Sequence, residues 1–338
     1  MNVLKFSLNR PEILAPVGDF ERLEAAIRFG ADAVYLGSTE FGMRAASANF
    51  DPDSLKKAVD YAHDRGVRLY LTCNTLPRND EMDRLADFLR AVEPAGVDAF
   101  IVSDIGVLSL VKKILPDAEI HISTQTGVVN YLTASELYAM GAKRVVLARE
   151  LSLDEIREIR HRTPPELEIE TFVHGAMCMS FSGRCVLSNY LVDRDANRGQ
   201  CAQPCRWGYY LVEEKRLHDH YPIFEDEGGT YILNAKDLCM LAYLDQLTQA
   251  GITSFKIEGR AKSSYYVSVV TNAYRLALDD YLAHPEGWKL PDWLMEEVRK
   301  VSHRDYSTGF YFGRPEHGQR YDTGGYIRTC DIVAMVER

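Results

Sequence analysis

The stretch Gly30-Ala-Asp-Ala-Val-Tyr-Leu36 contains the pattern that decides the fold. A glycine in a left-handed conformation ends a helix, and the apolar run after it suits a strand that is buried on both faces. Similar stretches begin at Gly66, Gly96, Gly141 and Gly251. Before each glycine, apolar residues recur three and four positions apart, which predicts an amphipathic helix. The chain therefore alternates helix and strand.

Three further strands complete the pattern, at Glu12–Pro16, Glu119–Ser123 and Glu168–Val173. Eight strands that alternate with helices are what a (β/α)8 TIM barrel requires. An open doubly wound α/β sheet is the alternative, but it usually has fewer strands and a glycine-rich phosphate loop after the first. The segment Ala15-Pro-Val-Gly-Asp19 contains no such loop. We therefore predict the barrel.

Two regions depart from the regular alternation. Residues 175–232 follow the seventh strand and are rich in Gly, Cys, Arg, Asn and Tyr. We predict that they form a cysteine-rich insertion on the rim of a barrel that spans residues 1–285. Because barrels carry their chemistry at the carboxyl ends of the strands, this insertion is expected to lie beside the site. Residues 286–338 are expected to form a C-terminal appendage, the start of a truncated small β domain.

The composition is that of an ordinary soluble protein. The 338 residues include 39 basic and 49 acidic side chains, a formal net charge of −10. This charge argues against a global basic surface for nucleic acid, although it allows a local basic patch. No apolar run approaches the roughly 20 residues that span a bilayer, and the N-terminus shows no secretory signal. We therefore expect a cytoplasmic protein without a membrane segment.

Four of the seven cysteines, Cys178, Cys185, Cys201 and Cys205, are close together in the sequence. Thiols grouped in this way in a reducing compartment normally share a metal. Their spacing lacks the paired C-x-x-C knuckles of a zinc ribbon, and irregular spacing suits an iron–sulfur cluster. A zinc ion that only stabilises the insertion is the alternative. Cys239 is a fifth candidate, which the barrel could bring close enough to replace one of the four.

Several predicted strands end in polar residues, as expected for the mouth of a barrel that binds a polar ligand. Some of these residues, above all Asp104 and Ser123, are expected to cap the next helix. His174 is either a hydrogen-bonded structural histidine or a catalytic one, and its place four residues before Cys178 favours catalysis. Glu258, after the eighth strand, is the second candidate for proton transfer.

The segment Lys256-Ile-Glu-Gly-Arg-Ala-Lys262 carries three cations at the end of the eighth strand. The phosphate-binding corner of a barrel lies after strands seven and eight, so we expect Arg260 and Lys262 to bind an anionic ligand. Arg44, after the second strand, could reach the same mouth. The alternative for each cation is a surface ion pair of little energetic weight.

The predicted insertion also combines arginines with aromatic rings. Residues 178–210 contain four arginines against two aspartates, with Phe181, Tyr190 and Trp207 among them. Arginine and aromatic rings together suit unstacked RNA bases. Aromatic residues that pack a small core under a charged face explain the pattern equally well. Neither a G-x-S-x-G elbow nor an H-E-x-x-H helix motif of a protease is present in the sequence.

A longer signature lies in the same region. Glu170-Thr-Phe-Val-His-Gly-Ala-Met-Cys178, followed by Gly183-Arg-Cys-Val-Leu-Ser188, resembles the signature of the U-32 peptidase family, also called collagenase-like peptidases. The resemblance extends from Ile13 to Arg304. Within the family, Cys201-Ala-Gln-Pro-Cys-Arg-Trp207 is most similar to the tRNA hydroxylation branch, whose members take part in forming 5-hydroxyuridine at the tRNA wobble position.

This resemblance implies an activity, a cofactor and partners. The activity is hydroxylation of the wobble uridine of tRNA, with a [4Fe–4S] cluster and with prephenate, or a similar small carboxylate, as co-substrate. Peptidase activity, as the family name suggests, is the alternative. Hydroxylation of ribosomal RNA or of ubiquinone, as in related branches of the family, is a further alternative. A homo- or hetero-oligomer with a family member, in which this chain is a partner subunit without catalysis of its own, also remains open.

The resemblance implies roles for particular residues as well. Cys178, Cys185, Cys201 and Cys205 match the cluster ligands of the RNA-modifying branches, whereas the ubiquinone branch resembles this chain at Cys239 instead of Cys205. The cations predicted at the mouth would hold the carboxylate co-substrate.

Overall fold

The computed structural model describes residues 10–43, 49–178, 180–207, 235–313, 326, 327 and 330, and the backbone of residues 210–211 and 221–222. Its strands are β1 (Glu12–Pro16), β2 (Ala33–Gly37), β3 (Arg68–Cys73), β4 (Ala99–Val102), β5 (Glu119–Ile122), β6 (Arg144–Val146), β7 (Glu168–Ala176), β8 (Tyr210–Leu211), β9 (Tyr221–Pro222), β10 (Asp237–Cys239), β11 (Ser254–Ile257) and β12 (Tyr306–Ser307). Its α-helices are α1 (Phe20–Arg28), α2 (Pro52–His63), α3 (Met82–Val92), α4 (Ile105–Ile114), α5 (Tyr131–Ala139), α6 (Leu153–Arg162), α7 (Leu187–Val192), α8 (Leu244–Gln249), α9 (Ser264–Ala283) and α10 (Asp292–Lys300).

Eight of these strands close into a barrel. Strands β1 to β7 pair in parallel with their neighbours in chain order. Strand β11 pairs in parallel with both β1 and β7, so the sheet has no free edge there. Helices alternate with the strands around the outside. The predicted (β/α)8 architecture is therefore confirmed.

Polar residues at the ends of the strands cap the helices that follow. Asp104 accepts a hydrogen bond from the Val107 amide at the start of α4, and Ser123 accepts one from the Gln125 amide. Such caps satisfy amide groups that have no partner within the helix. Both predicted caps are thus confirmed. Among the described residues, no helix is both long enough and apolar enough to cross a membrane.

The interior of the barrel contains charged groups at its amino end. We call Glu12, Arg144, Glu170 and Lys256 the floor network; all four are buried. Arg144 Nη1 lies 2.7 Å from Glu12 Oε1 and 2.9 Å from Glu170 Oε2, and Lys256 Nζ lies 2.7 Å from Glu170 Oε1. Although burial alone raises the pKa values of both glutamates, these cations hold them below their ordinary range.

Strand β7 is longer than the sequence predicts. It continues to Ala176 because β10 pairs antiparallel with its last residues, Cys239 opposite His174 and Asp237 opposite Ala176. Gly175, between these two positions, has φ +104°, and a Cβ there would lie 2.4 Å from the Glu258 carbonyl oxygen. Only glycine therefore lets β7 approach the residue that follows β11.

The described part of the insertion lies on loops at the carboxyl ends of the barrel strands. The Ser182 amide donates to Glu150 Oε1 after β6, at 3.1 Å. Arg198 Nη2 lies 2.6 Å from Glu81 Oε1, in the loop after β3. Gly183 has φ +74°, and a Cβ there would lie 1.9 Å from the carbonyl oxygen of Gln125 after β5. The insertion thus covers one side of the barrel mouth.

Candidate active site at the barrel mouth

Glu258 lies at the mouth, directly after β11. Its side chain is half-buried, and the Tyr35 hydroxyl lies 3.5 Å from Glu258 Oε2. The same hydroxyl donates to the Ile257 carbonyl at 2.9 Å, and the Tyr266 hydroxyl donates to the Glu258 carbonyl at 3.0 Å. These contacts fix the backbone that carries the carboxyl group. A carboxylate held in this way can accept or donate a proton.

Arg149 faces the same space from the end of β6. Its Nη1 donates to the Ala176 carbonyl at 3.2 Å, and its guanidinium lies 5.5 Å from the centroid of the Phe172 ring. Burial opposes its charge, but Cys178, through its charge and a hydrogen bond, and then the carboxylates of Glu150 and Glu258 hold the pKa of Arg149 above its ordinary value. The structure thus brings a cation, a thiol and a carboxylate together. No role was predicted for Arg149 from the sequence, although its position three residues after the end of β6 is a signal that could have found it.

Arg260 is almost completely buried, with 3% of its surface exposed. Its Nη1 donates to the Met43 carbonyl at 2.7 Å and its Nη2 to Asn49 Oδ1 at 2.6 Å. Gly37 leaves room for this side chain, because a Cβ there would lie 2.3 Å from Arg260 Nη2. Arg260 therefore joins the end of β11 to the loop after β2. Arg44, the other cation expected from that loop, lies outside the described residues.

Lys262 is directed toward the C-terminal part of the chain. Its Nζ donates to the Ser302 carbonyl at 2.9 Å and lies 3.8 Å from the centroid of the Tyr326 ring. The guanidinium carbon of Arg304 also lies near this ring, 4.6 Å from the Tyr326 centroid. These contacts differ from those of Arg260, so the two predicted anion-binding cations have separate surroundings.

His174 is enclosed by aromatic rings. Its ring centroid lies 6.0 Å from that of Tyr266, 5.6 Å from that of Tyr274 and 5.2 Å from that of Tyr306. Only 1% of its surface is exposed, and Nε2 has no hydrogen-bond partner within the described part of the chain. Burial, assisted by the charge of Lys262, lowers its pKa to about 3. The imidazole is therefore neutral at physiological pH.

The four cysteines of the insertion are all described. Cys178 is exposed, and Cys185, Cys201 and Cys205 are half-buried. Solvent-accessible thiols on one insertion have the donor chemistry that an iron–sulfur cluster requires. Across the described ranges, however, no three His, Cys, Asp or Glu side chains are gathered closely enough to hold a metal ion. The donor set fits a cluster, whereas the side-chain arrangement shown is not a preformed metal site.

The other cysteine candidate has a different environment. Cys239 belongs to the hydrophobic core and is 6% exposed. Burial raises the pKa of its thiol to about 11, although a hydrogen bond with Tyr274 opposes the shift. Cys73, which is buried at the end of β3, has a pKa raised to about 12 by burial. Burial therefore favours the protonated form of both thiols in this structure.

Together, the closed barrel and the polar groups at the carboxyl ends of its strands define a TIM-barrel protein with a site at its mouth, bordered by a cysteine-bearing insertion. The sequence model of peptidase family U32 matches residues 18–320. The chain belongs to peptidase family U32.

Curated relatives of this chain carry two kinds of name. Over 328 residues it is 38% identical to tRNA hydroxylation protein P1 of Bacillus subtilis (strain 168), covering 97% of this chain and 77% of the relative. Over 340 residues it is 38% identical to tRNA hydroxylation protein P of Escherichia coli (strain K12), covering 89% and 74%. Over 330 residues it is 35% identical to a collagenase of Porphyromonas gingivalis (strain ATCC BAA-308 / W83), covering 94% and 78%.

Proposed function

We propose that this protein takes part in the hydroxylation of tRNA, converting the wobble uridine to 5-hydroxyuridine in the cytoplasm. The observation that carries the proposal is the 38% identity to a tRNA hydroxylation protein over 97% of the chain. This match is long enough to include both the barrel mouth and the insertion. Prephenate, or a similar small carboxylate, is the proposed co-substrate.

The proposed cofactor is a [4Fe–4S] cluster held by Cys178, Cys185, Cys201 and Cys205. The accessible position of these thiols supports this ligand set. We propose Cys205 rather than Cys239 as the fourth ligand, because Cys239 lies within the hydrophobic core. Gathering the four sulfur atoms requires the insertion to rearrange locally when the cluster is loaded. When bound, the cluster would supply electron transfer or Lewis-acid chemistry.

The chain's own residues bind the reactants and move the proton. Conversion of the C5–H bond of uridine to C5–OH is a two-electron oxidation, for which an external co-reactant would supply the oxygen atom and accept the two electrons. The C5 proton leaves the ring, and Glu258 is its proposed acceptor. Arg149, whose charge interacts with that of Glu258, supplies a cation beside this carboxyl group. Arg149 and Arg260 would bind carboxylates of the co-substrate, with Lys262 and Arg44 as further cations. His174 is the second residue predicted for proton transfer, but it is buried among aromatic rings on the outer side of β7, so we assign the proton to Glu258.

Nucleoside analysis tests the proposed activity. A strain that lacks this gene and any paralogue should contain no 5-hydroxyuridine in its tRNA, and the wild-type gene should restore it. An unchanged level of the nucleoside in the deletion strain would refute the assignment.

Metal analysis of anaerobically purified protein tests the proposed cofactor. Wild-type protein should contain iron and sulfide and absorb visible light, which a zinc protein does not because Zn²⁺ is d¹⁰. Cys185→Ser should lose most of the iron, whereas Cys330→Ser, at an exposed cysteine outside the insertion, should retain it. Iron that is retained by Cys185→Ser, or absent from the wild type, would contradict the ligand set.

Peptidase activity is the second candidate, because one relative is named a collagenase. In that case the cysteines would stabilise the fold and the mouth would bind polypeptide. Gelatin cleavage by purified protein that is abolished in Glu258→Gln, together with unchanged 5-hydroxyuridine in the deletion strain, would favour this function over tRNA hydroxylation.

A further inference from the structure

The insertion exposes an unusual number of large apolar and aromatic side chains. Tyr190 is 87% exposed and Val186 is 69% exposed. Phe181, Leu191 and Trp207 are each more than two-fifths exposed. We call these five residues the rim surface. Exposed apolar groups concentrated in one short segment indicate a binding surface, whereas scattered ones are ordinary.

The rim surface begins next to the barrel mouth. The Phe181 ring lies against Gly127, in the loop after β5, where a Cβ would be 3.2 Å from the ring. The neighbouring Ser182 amide is bonded to Glu150, the residue after Arg149. A molecule whose reacting part enters the mouth therefore has its adjacent parts on this side of the barrel.

The charge of the segment differs from that of the whole protein. Arg184 and Arg194 are both exposed, and Asp193 is an exposed carboxylate of the same segment. The chain as a whole carries a formal net charge of −10. A local excess of arginine thus coincides with exposed rings, which suits a partner that is both planar and anionic.

We propose that the rim surface binds the nucleotides that flank the reacting uridine of tRNA. This inference rests on the proposed function. A base must leave its stack to enter an active-site pocket, so its neighbours are splayed across the pocket's rim. Tyr190 and Trp207 supply stacking platforms for these bases, and Arg184 and Arg194 supply cations for their phosphates. A second copy of this chain would use the apolar groups but would not require the arginines.

Fluorescence anisotropy with a labelled anticodon stem–loop RNA tests the inference, using full-length protein purified anaerobically. Tyr190→Ala should weaken binding about tenfold, since stacking on one ring contributes about that much. Because Tyr190 is exposed, its removal should leave the unfolding midpoint unchanged. Trp293→Ala, which removes a ring that is 52% exposed on α10, should change the affinity less than twofold. About twofold is the largest change expected of a surface substitution away from the binding site.

A second variant tests the phosphate contacts independently. The double variant Arg184→Ala/Arg194→Ala should reduce the slope of log affinity against log salt by about 1.4, the value for two contacts with single-stranded RNA. The slope of Trp293→Ala should equal that of the wild type.

The possible outcomes separate this inference from the proposed function. If wild-type protein binds the RNA and neither rim variant changes the affinity or the salt slope, the inference that the rim surface binds RNA is wrong, and the proposed tRNA hydroxylation stands. If wild-type protein does not bind the RNA, the inference fails, and nucleoside analysis decides the function separately. If Tyr190→Ala instead converts a dimer to a monomer with unchanged RNA binding, the surface joins two copies of this chain, and the inference is overturned.

Discussion

The amino and carboxyl ends of the barrel interior both carry charged side chains, but their surroundings differ. In the floor network, Glu170 contacts both Arg144 and Lys256, and all of these groups are buried. At the mouth, Arg149 and Glu258 are half-buried, and Arg149 donates to a main-chain carbonyl.

This difference separates structural from chemical roles. Buried charges that neutralise one another leave no position for a ligand, and the loss of one partner exposes the others to an uncompensated burial cost. Charged groups at an open mouth, held by the backbone, can meet a ligand with little change in the fold. We therefore expect variants of the floor to lose stability and variants of the mouth to lose activity.

The largest expected effect is on stability, from Arg144→Met in the floor network. Removing this cation leaves the buried carboxylates of Glu12 and Glu170 without one of their partners, so the free energy of unfolding should fall by about 3–5 kcal/mol. Urea denaturation measures this change. Arg157→Met, which breaks an exposed pair with Asp154 on α6, is the matched control and should cost less than about 0.5 kcal/mol. Equal losses of stability in the two variants would contradict the structural role of the floor network.

The next effect is on activity, from Glu258→Gln at the mouth. The amide cannot accept the proton, so 5-hydroxyuridine formation should fall about 100-fold or more in the complemented deletion strain. Its free energy of unfolding should stay within about 1 kcal/mol of the wild type. Glu286→Gln, at an exposed position after α9, should behave as the wild type in both measurements. Full activity of Glu258→Gln would show that the reaction does not need the Glu258 carboxylate.

The pH dependence of the free energy of unfolding reports on the buried side chain of His174. The pKa of His174 is about 3 in the folded protein, below its ordinary value of 6.5, so the unfolded chain binds more protons between these values. Stability should therefore fall as the pH drops below 6.5, by about 1.4 kcal/mol per pH unit for this one residue. Burial also lowers the pKa of His121, so His121 contributes to the pH dependence with the same sign.

The variant His174→Gln isolates this contribution. Urea unfolding between pH 6 and pH 5 should show that the His174→Gln variant takes up about one proton fewer on unfolding than the wild type. His284→Gln, at an exposed histidine, is the control variant. An identical pH slope for His174→Gln and wild type would mean that His174 is protonated in the folded protein.

The smallest expected effect comes from the ion pair that joins the insertion to the barrel. Arg198→Ala removes the contact with Glu81, which is partly exposed, and should cost at most about 1 kcal/mol of global stability. Proteolysis should nevertheless cut the insertion faster, because a local contact is lost. Arg90→Ala, which breaks an exposed pair on α3, is the control and should not alter the cleavage rate. Unchanged cleavage of Arg198→Ala would show that this pair does not anchor the insertion.

The barrel could be predicted from sequence because its signal is local and repeated. A glycine that ends a helix and an apolar strand after it lie within a few residues of each other, as at Gly30 and Gly66. The caps Asp104 and Ser123 were predictable for the same reason. The floor network was not, because Arg144 and Glu12 are 132 positions apart and only barrel closure brings them together.

The surroundings of His174 show a second limit of sequence reasoning. Alternation along β7 would direct it to the same side as Glu170 and Phe172. The pairing with β11 instead skips one residue, since Lys256 pairs with Phe172 and Ile257 with His174. Such a shift turns the following side chains to the other face of the sheet. His174 therefore packs against Tyr266 and Tyr274 of α9, on the outside of the barrel.

The central proposal is that the mouth of this barrel takes part in hydroxylating a tRNA uridine, with Glu258 accepting the proton. The most direct measurement is mass spectrometry of tRNA nucleosides from the deletion strain that expresses either the wild type or Glu258→Gln at equal protein levels. We expect 5-hydroxyuridine with the wild type and almost none with the variant. Equal amounts of the nucleoside from the two strains would contradict the claim.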